Sequence, residues 1–285
     1  MAAKNQQAPS DPGIWVLADV LCGVDGTRGA YEAVRQAAWF AGPDGKLTLL
    51  AVTAVVGGGV QRSASFAPAR AKRALAHAEG LAAAVGVSAV SEIDERAPVT
   101  DVLLGHADGH GLLAIGAPPM SRVAHLLLGG TATPAAHLLP ASVLFARRPP
   151  ARVGFGDQIV VASDALEQSD ALVHFATALA RQRDVSLTLL HAPHAESSQH
   201  PTRIAAQVEH VTRALGDNGR VRIEPGRARD VIVATAASER CSLLVVSSRR
   251  VGGLRALGSV SERVVHDAPC SVLVMRPEDL QRDAD

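Results

Sequence analysis

The sequence predicts two α/β domains in tandem, each a doubly wound, open, parallel sheet of five strands, and three observations predict it. A pattern repeats along the chain: Leu47-Thr48-Leu49-Leu50 returns as Leu187-Thr188-Leu189-Leu190, and His137 to Leu144 is echoed by His266 to Leu273. The order is kept while the offset drifts, as expected when surface loops gain and lose residues after a duplication. Short apolar runs alternate with longer stretches of helical period in both copies, the pattern of βα units. The runs are apolar throughout, which marks strands covered on both faces and therefore a parallel sheet between helical layers.

In the first copy, strands are expected at Leu17 to Val24, Leu47 to Thr53, near Ala89, at Leu112 to Ile115 and at Val143 to Ala146. One helix presents Ala30, Ala33, Val34, Ala37, Ala38 and Ala41 at 3.6-residue spacing, and a second presents Ala71, Ala74, Leu75, Ala78, Leu81, Ala82 and Val85. The second copy places strands at Ile159 to Ala162, Val185 to His191, Val221 to Glu224, Leu243 to Val246 and Val272 to Met275. Its helices show Leu172, Phe175 and Leu179, then Ile204, Val208, Val211 and Leu215. Between the copies lies Arg147-Arg148-Pro149-Pro150-Ala151-Arg152, whose prolines stiffen it into a spacer. The domains are expected at residues 14–148 and 156–277, with 149–155 as linker. Val143 to Ala146 and Val272 to Met275 read as apolar edge strands, so the halves are expected to pair through them about a pseudo-twofold axis. A homodimer beyond that intrachain pair stays open.

Composition narrows the function. Hydrophobic residues make up 47% of the 285 and charged residues 20%, enough for filled cores and too apolar for a disordered chain. Lys+Arg and Asp+Glu cancel at 28 each, so no excess positive field draws a nucleic acid or an anionic membrane. Aromatics at 3% are too few for a base-stacking platform. Cys22, Cys241 and Cys270 are odd in number and sit in apolar or turn contexts, which reads as buried reduced thiols. The polar start and the interruption of the Ile14 to Val24 run by Asp19 speak against a signal peptide or a membrane span, and the expected location is cytoplasmic.

In such sheets a ligand sits at the carboxyl ends of the strands, where strand order reverses. Asp25 and Asp164 each follow a first strand. Such an acid either accepts from a nucleobase or sugar or caps the next helix, and the local sequence leaves both open. After the fourth strand come Gly116-Ala117-Pro118-Pro119 and Gly129-Gly130-Thr131 in one copy, and Ser247-Ser248-Arg249-Arg250 and Leu257-Gly258-Ser259-Val260-Ser261 in the other. Glycine and hydroxyl residues at a helix start either cradle phosphate or merely turn and cap the chain.

Together, Asp25 and Asp164, the strand ends Leu-Leu-Ala-Val (49–52) and Leu-Leu-His-Ala (189–192), and the closing runs Leu-Gly-Ser-Val-Ser (257–261) and Ala-Pro-Cys-Ser-Val-Leu-Val-Met-Arg (268–276) resemble the universal stress protein family, over essentially the whole chain. The resemblance implies a Rossmann-like, adenine nucleotide alpha hydrolase-like fold and a non-catalytic, ATP-binding stress-response protein. The alternative is an enzyme of related architecture that hydrolyses or activates adenine nucleotides. Members that bind nucleotide carry glycine, two residues, glycine, nine residues, then glycine and serine or threonine. Here Pro119 stands at the second glycine and Gly130 at the hydroxyl position, while Ser247 and Arg250 replace both early glycines of the second copy and its loop is two residues shorter. The resemblance assigns Asp25 and Val52, or Asp164 and Ala192, to the adenine and ribose side. It assigns Ile115, Gly116, Gly129, Gly130 and Thr131, or Val246, Ser247, Gly258, Ser259 and Ser261, to the ribose and phosphate side. ATP binding is expected to be weak.

Other chemistry is set aside. His191, His194, His200 and Glu196 match no closed metal spacing, so no metal is expected. Neither a Gly-x-Ser-x-Gly elbow nor a P-loop occurs. Because proline lacks an N–H and Gly130 lacks a hydroxyl, Pro119→Gly combined with Gly130→Ser should tighten ATP binding about tenfold or more, measured by calorimetry, if each restored contact contributes about 1.5–3 kcal/mol.

Overall fold

A computed structural model of the chain describes residues 17–53, 68–96, 98–117, 141–192, 200–251, 254–256, 259–276 and 279–280, with backbone only over 249–259. The first half runs β1 (Asp19–Gly23), α1 (Arg28–Ala41), β2 (Lys46–Val52), α2 (Pro68–Ala83), β3 (Ala89–Asp94), α3 (Val99–Ala107), β4 (Leu112–Gly116) and β5 (Ser142–Ala146). The second runs β6 (Gln158–Ser163), α4 (Glu167–Arg183), β7 (Ser186–His191), α5 (Pro201–Leu215), β8 (Gly219–Ile223), α6 (Ala228–Ser238), β9 (Leu243–Ser247), β10 (Arg249–Val251), β11 (Leu254–Ala256), α7 (Ser259–Asp267) and β12 (Ser271–Met275). The expected first strand is shorter than Leu17 to Val24, since Leu17 and Ala18 form a 3-10 turn. Helices α3 and α6 and the β10–β11 hairpin were not anticipated.

The two five-stranded parallel halves join into one ten-stranded sheet of order β3-β2-β1-β4-β5-β12-β9-β6-β7-β8. Successive strand residues point to opposite faces, and the core divides accordingly. One face packs Val20, Cys22, Leu49 and Leu189 against the small-residue stripe of α1 (Ala33, Val34, Ala37, Ala38) and against α2, α4 and α5. The other packs Leu21, Leu50, Leu190 and Leu244 against Leu103 of α3, Ile232 of α6 and Val264 of α7. All three cysteines are buried free thiols, and burial raises the Cys22 and Cys241 pKa values above the ordinary thiol range.

The halves meet at β5 and β12, which pair antiparallel with Leu144 opposite Leu273. A reciprocal polar clasp closes both ends of this pair. The Arg147 N–H donates to Ser271 Oγ (2.9 Å), and the Arg276 N–H donates to Ser142 Oγ (3.1 Å). Ser271 Oγ donates to Gln36 Oε1 (2.8 Å), whose amide donates to the Arg147 carbonyl (2.7 Å), so α1 is tied to the seam. At the other end Asp279, 1% exposed, accepts from Ser142 N and Oγ and from Arg276 Nε and Nη2. Burial draws the Arg147 guanidinium below its usual range while Nη2 donates to the Val265 carbonyl (2.6 Å). The linker is packed as well: the Phe155 ring stands edge-on to Trp39 and Phe40, and Arg183 lies over the Trp39 ring at 4.6 Å.

Removing one partner of a buried ion pair strands the other charge, at about 3–5 kcal/mol. Asp279→Ala should therefore lower the unfolding free energy of the whole chain by about that amount. Urea unfolding monitored by circular dichroism measures it, and Asp279→Asn should cost less because it keeps an acceptor.

Candidate functional site

In the first half the chain moves outward from β1 to β2 and β3 and then returns to β4 on the other side of β1, so the order reverses between β1 and β4. Asp25, Val52, Ile115 and Gly116 come together at the carboxyl ends of β1, β2 and β4. Val52 and Ile115 belong to the α3 side of the core, and a Cβ on Gly23 would meet Leu103 and Ile115 at 3.4 and 3.7 Å. This shared face floors the crevice. Gly116 is required for the close approach of β4 to the start of α1, because a Cβ there would lie 2.5 Å from the Gly29 carbonyl carbon and 2.7 Å from the Ala30 nitrogen.

Asp25 closes a turn and does not cap the helix. Its Oδ1 accepts from the Thr27 N–H (2.9 Å) and hydroxyl (2.7 Å), while Thr27 Oγ1 caps α1 by accepting from Ala30 N (3.2 Å). Oδ2 has no hydrogen-bond partner among the described residues, and Asp25 is exposed. In the second half Asp164 Oδ1 accepts from the Leu166 N–H (3.0 Å) and the Ser169 hydroxyl. The residue after the acid is Gly26 in one copy (φ 76°) and Ala165 in the other (φ 58°). A left-handed alanine costs about 1–2 kcal/mol, and the bond from Ala165 N to Ser163 Oγ (3.1 Å) helps hold it.

Asp164, Ala192, Val246, Ser247 and Ser261 gather in the same way at the ends of β6, β7 and β9. Ser261, open in the sequence between a phosphate contact and a helix cap, sits inside α7 and donates its hydroxyl proton to the Ser247 carbonyl (2.9 Å). Ser259 opens that helix, and β10 pairs antiparallel with β11 where the family loop would run. Gly129, Gly130, Thr131 and Gly258, together with Pro119, His194 and Glu196, lie outside the described residues. Among the described residues no three metal-ligating side chains come together, and no helix is long and apolar enough to cross a membrane.

Sequence reasoning missed a polar chain on the α4–α5 side of the second half. Ser163 Oγ donates to Gln207 Oε1 (2.8 Å), Gln207 Nε2 donates to Asp170 Oδ1 (2.5 Å), and Arg203 pairs with Asp170. The i, i+4 spacing of Arg203 and Gln207 on an otherwise amphipathic helix was the available signal. His191, 2% exposed, lies on the same side of the sheet, and its Nε2 has no partner among the described residues. It takes the strand position that Ala51 holds in the first half. A groove of about 460 Å³ is lined by Arg96, which follows β3, and by Asp101, Val102, Gly105 and His106 of α3.

The sequence profile described as the Universal stress protein family matches residues 18–147 and again residues 157–276. The chain belongs to the universal stress protein family. A curated universal stress protein relative from Staphylococcus aureus (strain USA300) is 29% identical over 146 residues, 44% of this chain and 87% of that protein. Among solved structures, a universal stress protein from Archaeoglobus fulgidus DSM 4304 superposes with a TM-score of 0.73 at 19% identity, covering 91% of this chain and 98% of that one. A Pseudomonas aeruginosa PAO1 protein described as functionally unknown gives 0.68 at 18% identity, over 95% and 96%. These likenesses show that the fold spans nearly the whole chain in other solved proteins.

Burial lowers the His191 pKa below the ordinary imidazole value, an effect partly offset by the Ser163 carbonyl and the Asp164 charge. A depressed folded value means that the unfolded chain binds the proton more readily, so the stability associated with neutral His191 is present above about pH 6.5 and lost as pH falls below it. Urea unfolding between about pH 7 and pH 5 should show the natural chain losing stability relative to a His191→Gln variant.

Proposed function

We propose that this chain is a non-catalytic stress-response protein whose first half keeps a weak adenine-nucleotide site, with residues 14–148 and 156–277 as its two units. The observation that carries the reading is the meeting of Asp25, Val52, Ile115 and Gly116 where strand order reverses, with one Asp25 oxygen spent on the turn and the other unpartnered among the described residues. A carboxylate oxygen in that position suits the exocyclic amine of adenine or a ribose hydroxyl, and Val52 and Ile115 give the base an apolar wall. Gly129, Gly130 and Thr131 would face the phosphates with one donor fewer, since Pro119 has no N–H.

The second half supports binding less well. Asp164 takes the Ser169 hydroxyl as well as a backbone N–H, the Ser261 hydroxyl proton is spent on Ser247, and a hairpin replaces the loop. Ala192, Val246, Gly258 and Ser259 would complete a site there only for a ligand that does without those groups.

Calorimetric titration of the full chain tests the reading. ATP should bind with a dissociation constant of about 100 μM or weaker, and adenosine should bind within about tenfold of it, because the phosphate contacts are the ones eroded. Low-micromolar ATP binding, or multiple turnovers of product on prolonged incubation with ATP, would overturn it.

A further inference from the structure

We propose that copies of this chain associate end to end, β3 of one molecule pairing antiparallel with β8 of the next, with Ile93 opposite Val221. These are the two outermost strands of the ten-stranded sheet. Of the six large hydrophobics exposed among the described residues, Val90 (64%), Ile93 and Ile223 (53%) sit on them. Unpaired strand edges are templates for another strand.

The backbone fixes which residues face outward. The Asp94 carbonyl accepts from Thr53 N (2.8 Å), so Asp94 and, by alternation, Glu92 and Val90 turn their peptide groups toward β2, leaving those of Ser91 and Ile93 on the open edge. Glu224 N donates to the His191 carbonyl (2.9 Å), which likewise turns Arg222 and Arg220 toward β7 and leaves Val221 and Ile223 open. In an antiparallel pair, residues that exchange both hydrogen bonds lie opposite each other. Setting Ile93 opposite Val221 also sets Ser91 opposite Ile223, so outward groups meet outward groups.

The same register brings charge into line. Glu92 and Asp94 are register partners of Leu50 and Val52, and Arg220 and Arg222 of Thr188 and Leu190. Leu50, Val52 and Leu190 all belong to the α3, α6 and α7 side of the core, so both acids and both arginines stand on one face. With Ile93 opposite Val221, Glu92 faces Arg222 and Asp94 faces Arg220. Asp94 is held by Arg96 and His106, and Arg222 by Glu224 and Glu239, so each is already fixed on its edge. Among the described residues Glu92 pairs with His106 at 3.7 Å and the exposed Arg220 with Glu239 at 3.6 Å, both loose contacts that leave the two side chains available. Pairing like with like in the comparable register is opposed by charge: β3 against β3 with Ser91 opposite Ile93 sets Glu92 against Glu92, and β8 against β8 with Val221 opposite Ile223 sets Arg222 against Arg222. Such charges resist homotypic edge contacts while matching a head-to-tail one.

The helices also fit. α2 packs on β2 and β3, and α5 on β7 and β8, on the same side of the sheet. Joining the edges separates these helices by two strand spacings, about 9–10 Å, an ordinary helix-packing distance. A heterologous contact of this kind does not close on itself, so chain length should grow with concentration.

Sedimentation velocity of the full chain tests this. At low ionic strength the weight-average mass should rise with concentration to more than twice that of the monomer, and high salt should reverse the rise. Ile93→Pro removes an outward donor from β3, and Ile223→Pro removes one from β8. Each variant alone should remain monomeric, and an equimolar mixture should form a species of twice the monomer mass and nothing larger. Should either proline variant lose its circular dichroism signal, Glu92→Arg and Arg222→Glu serve instead: each alone should associate less, and mixing them should restore assembly. A natural chain that stays monomeric at every concentration, variants that assemble as the natural chain does, or mixtures that fail to assemble would each overturn the proposal.

Discussion

Ten strands share one sheet because β5 and β12, each the last strand of its half, would otherwise leave a largely apolar edge in water. Both are buried along their whole length once paired. Burying that edge also buries the polar groups at its ends, and an unsatisfied buried donor or acceptor costs about 1–3 kcal/mol. The repeated Ser…Arg spacing, Ser142 with Arg147 and Ser271 with Arg276, answers this twice by the same geometry. Duplication supplied both halves of the clasp, and the two ends then diverged: Gln36 of α1 completes one and Asp279 the other. Helix α1 and the residues after β12 are thereby positioned from the seam.

Divergence is clearest at the carboxyl ends of the strands. In the first half Gly26 and Gly116 let the turn and the strand end approach α1 without a Cβ in the way. In the second, Ala165 accepts a left-handed backbone, Ser247 carries a side chain where Gly116 has none, and the Ser163 and Ser261 hydroxyls are engaged within the chain. The second crevice has become self-satisfied.

Much of the fold was legible because a strand buried on both faces is a plain apolar run, as Leu243 to Val246 shows, and because the alanine stripe of α1 has an unambiguous period. The repeat then placed the edge strands that had to pair. What stayed hidden has physical causes. Helix α6, Ala-Arg-Asp-Val-Ile-Val-Ala-Thr-Ala-Ala-Ser, is rich in β-branched residues, and tertiary packing of Ile232 and Ala236 outweighs that local preference. Helix α3 spans nine residues, too short for a period to emerge. The β10–β11 hairpin had a readable signal in Gly252-Gly253, the dipeptide suited to a two-residue turn between strands. At the candidate site, the sequence put Asp25 and Asp164 just after the first strand of each half, but it could not decide between ligand acceptor and cap. The third role, closing a turn ahead of the cap, depends on Thr27 and Ser169 lying within reach, which only coordinates reveal.

The antiparallel seam also decides how the two crevices relate. Within the ten-stranded sheet every strand of the first half runs opposite to those of the second, so the carboxyl ends of β1 and β4 lie along one rim of the sheet and those of β6 and β9 along the other. No single small ligand can bridge them. Whatever one crevice holds is separated from the other by the length of the strands, with the interlocked β5 and β12 lying between them.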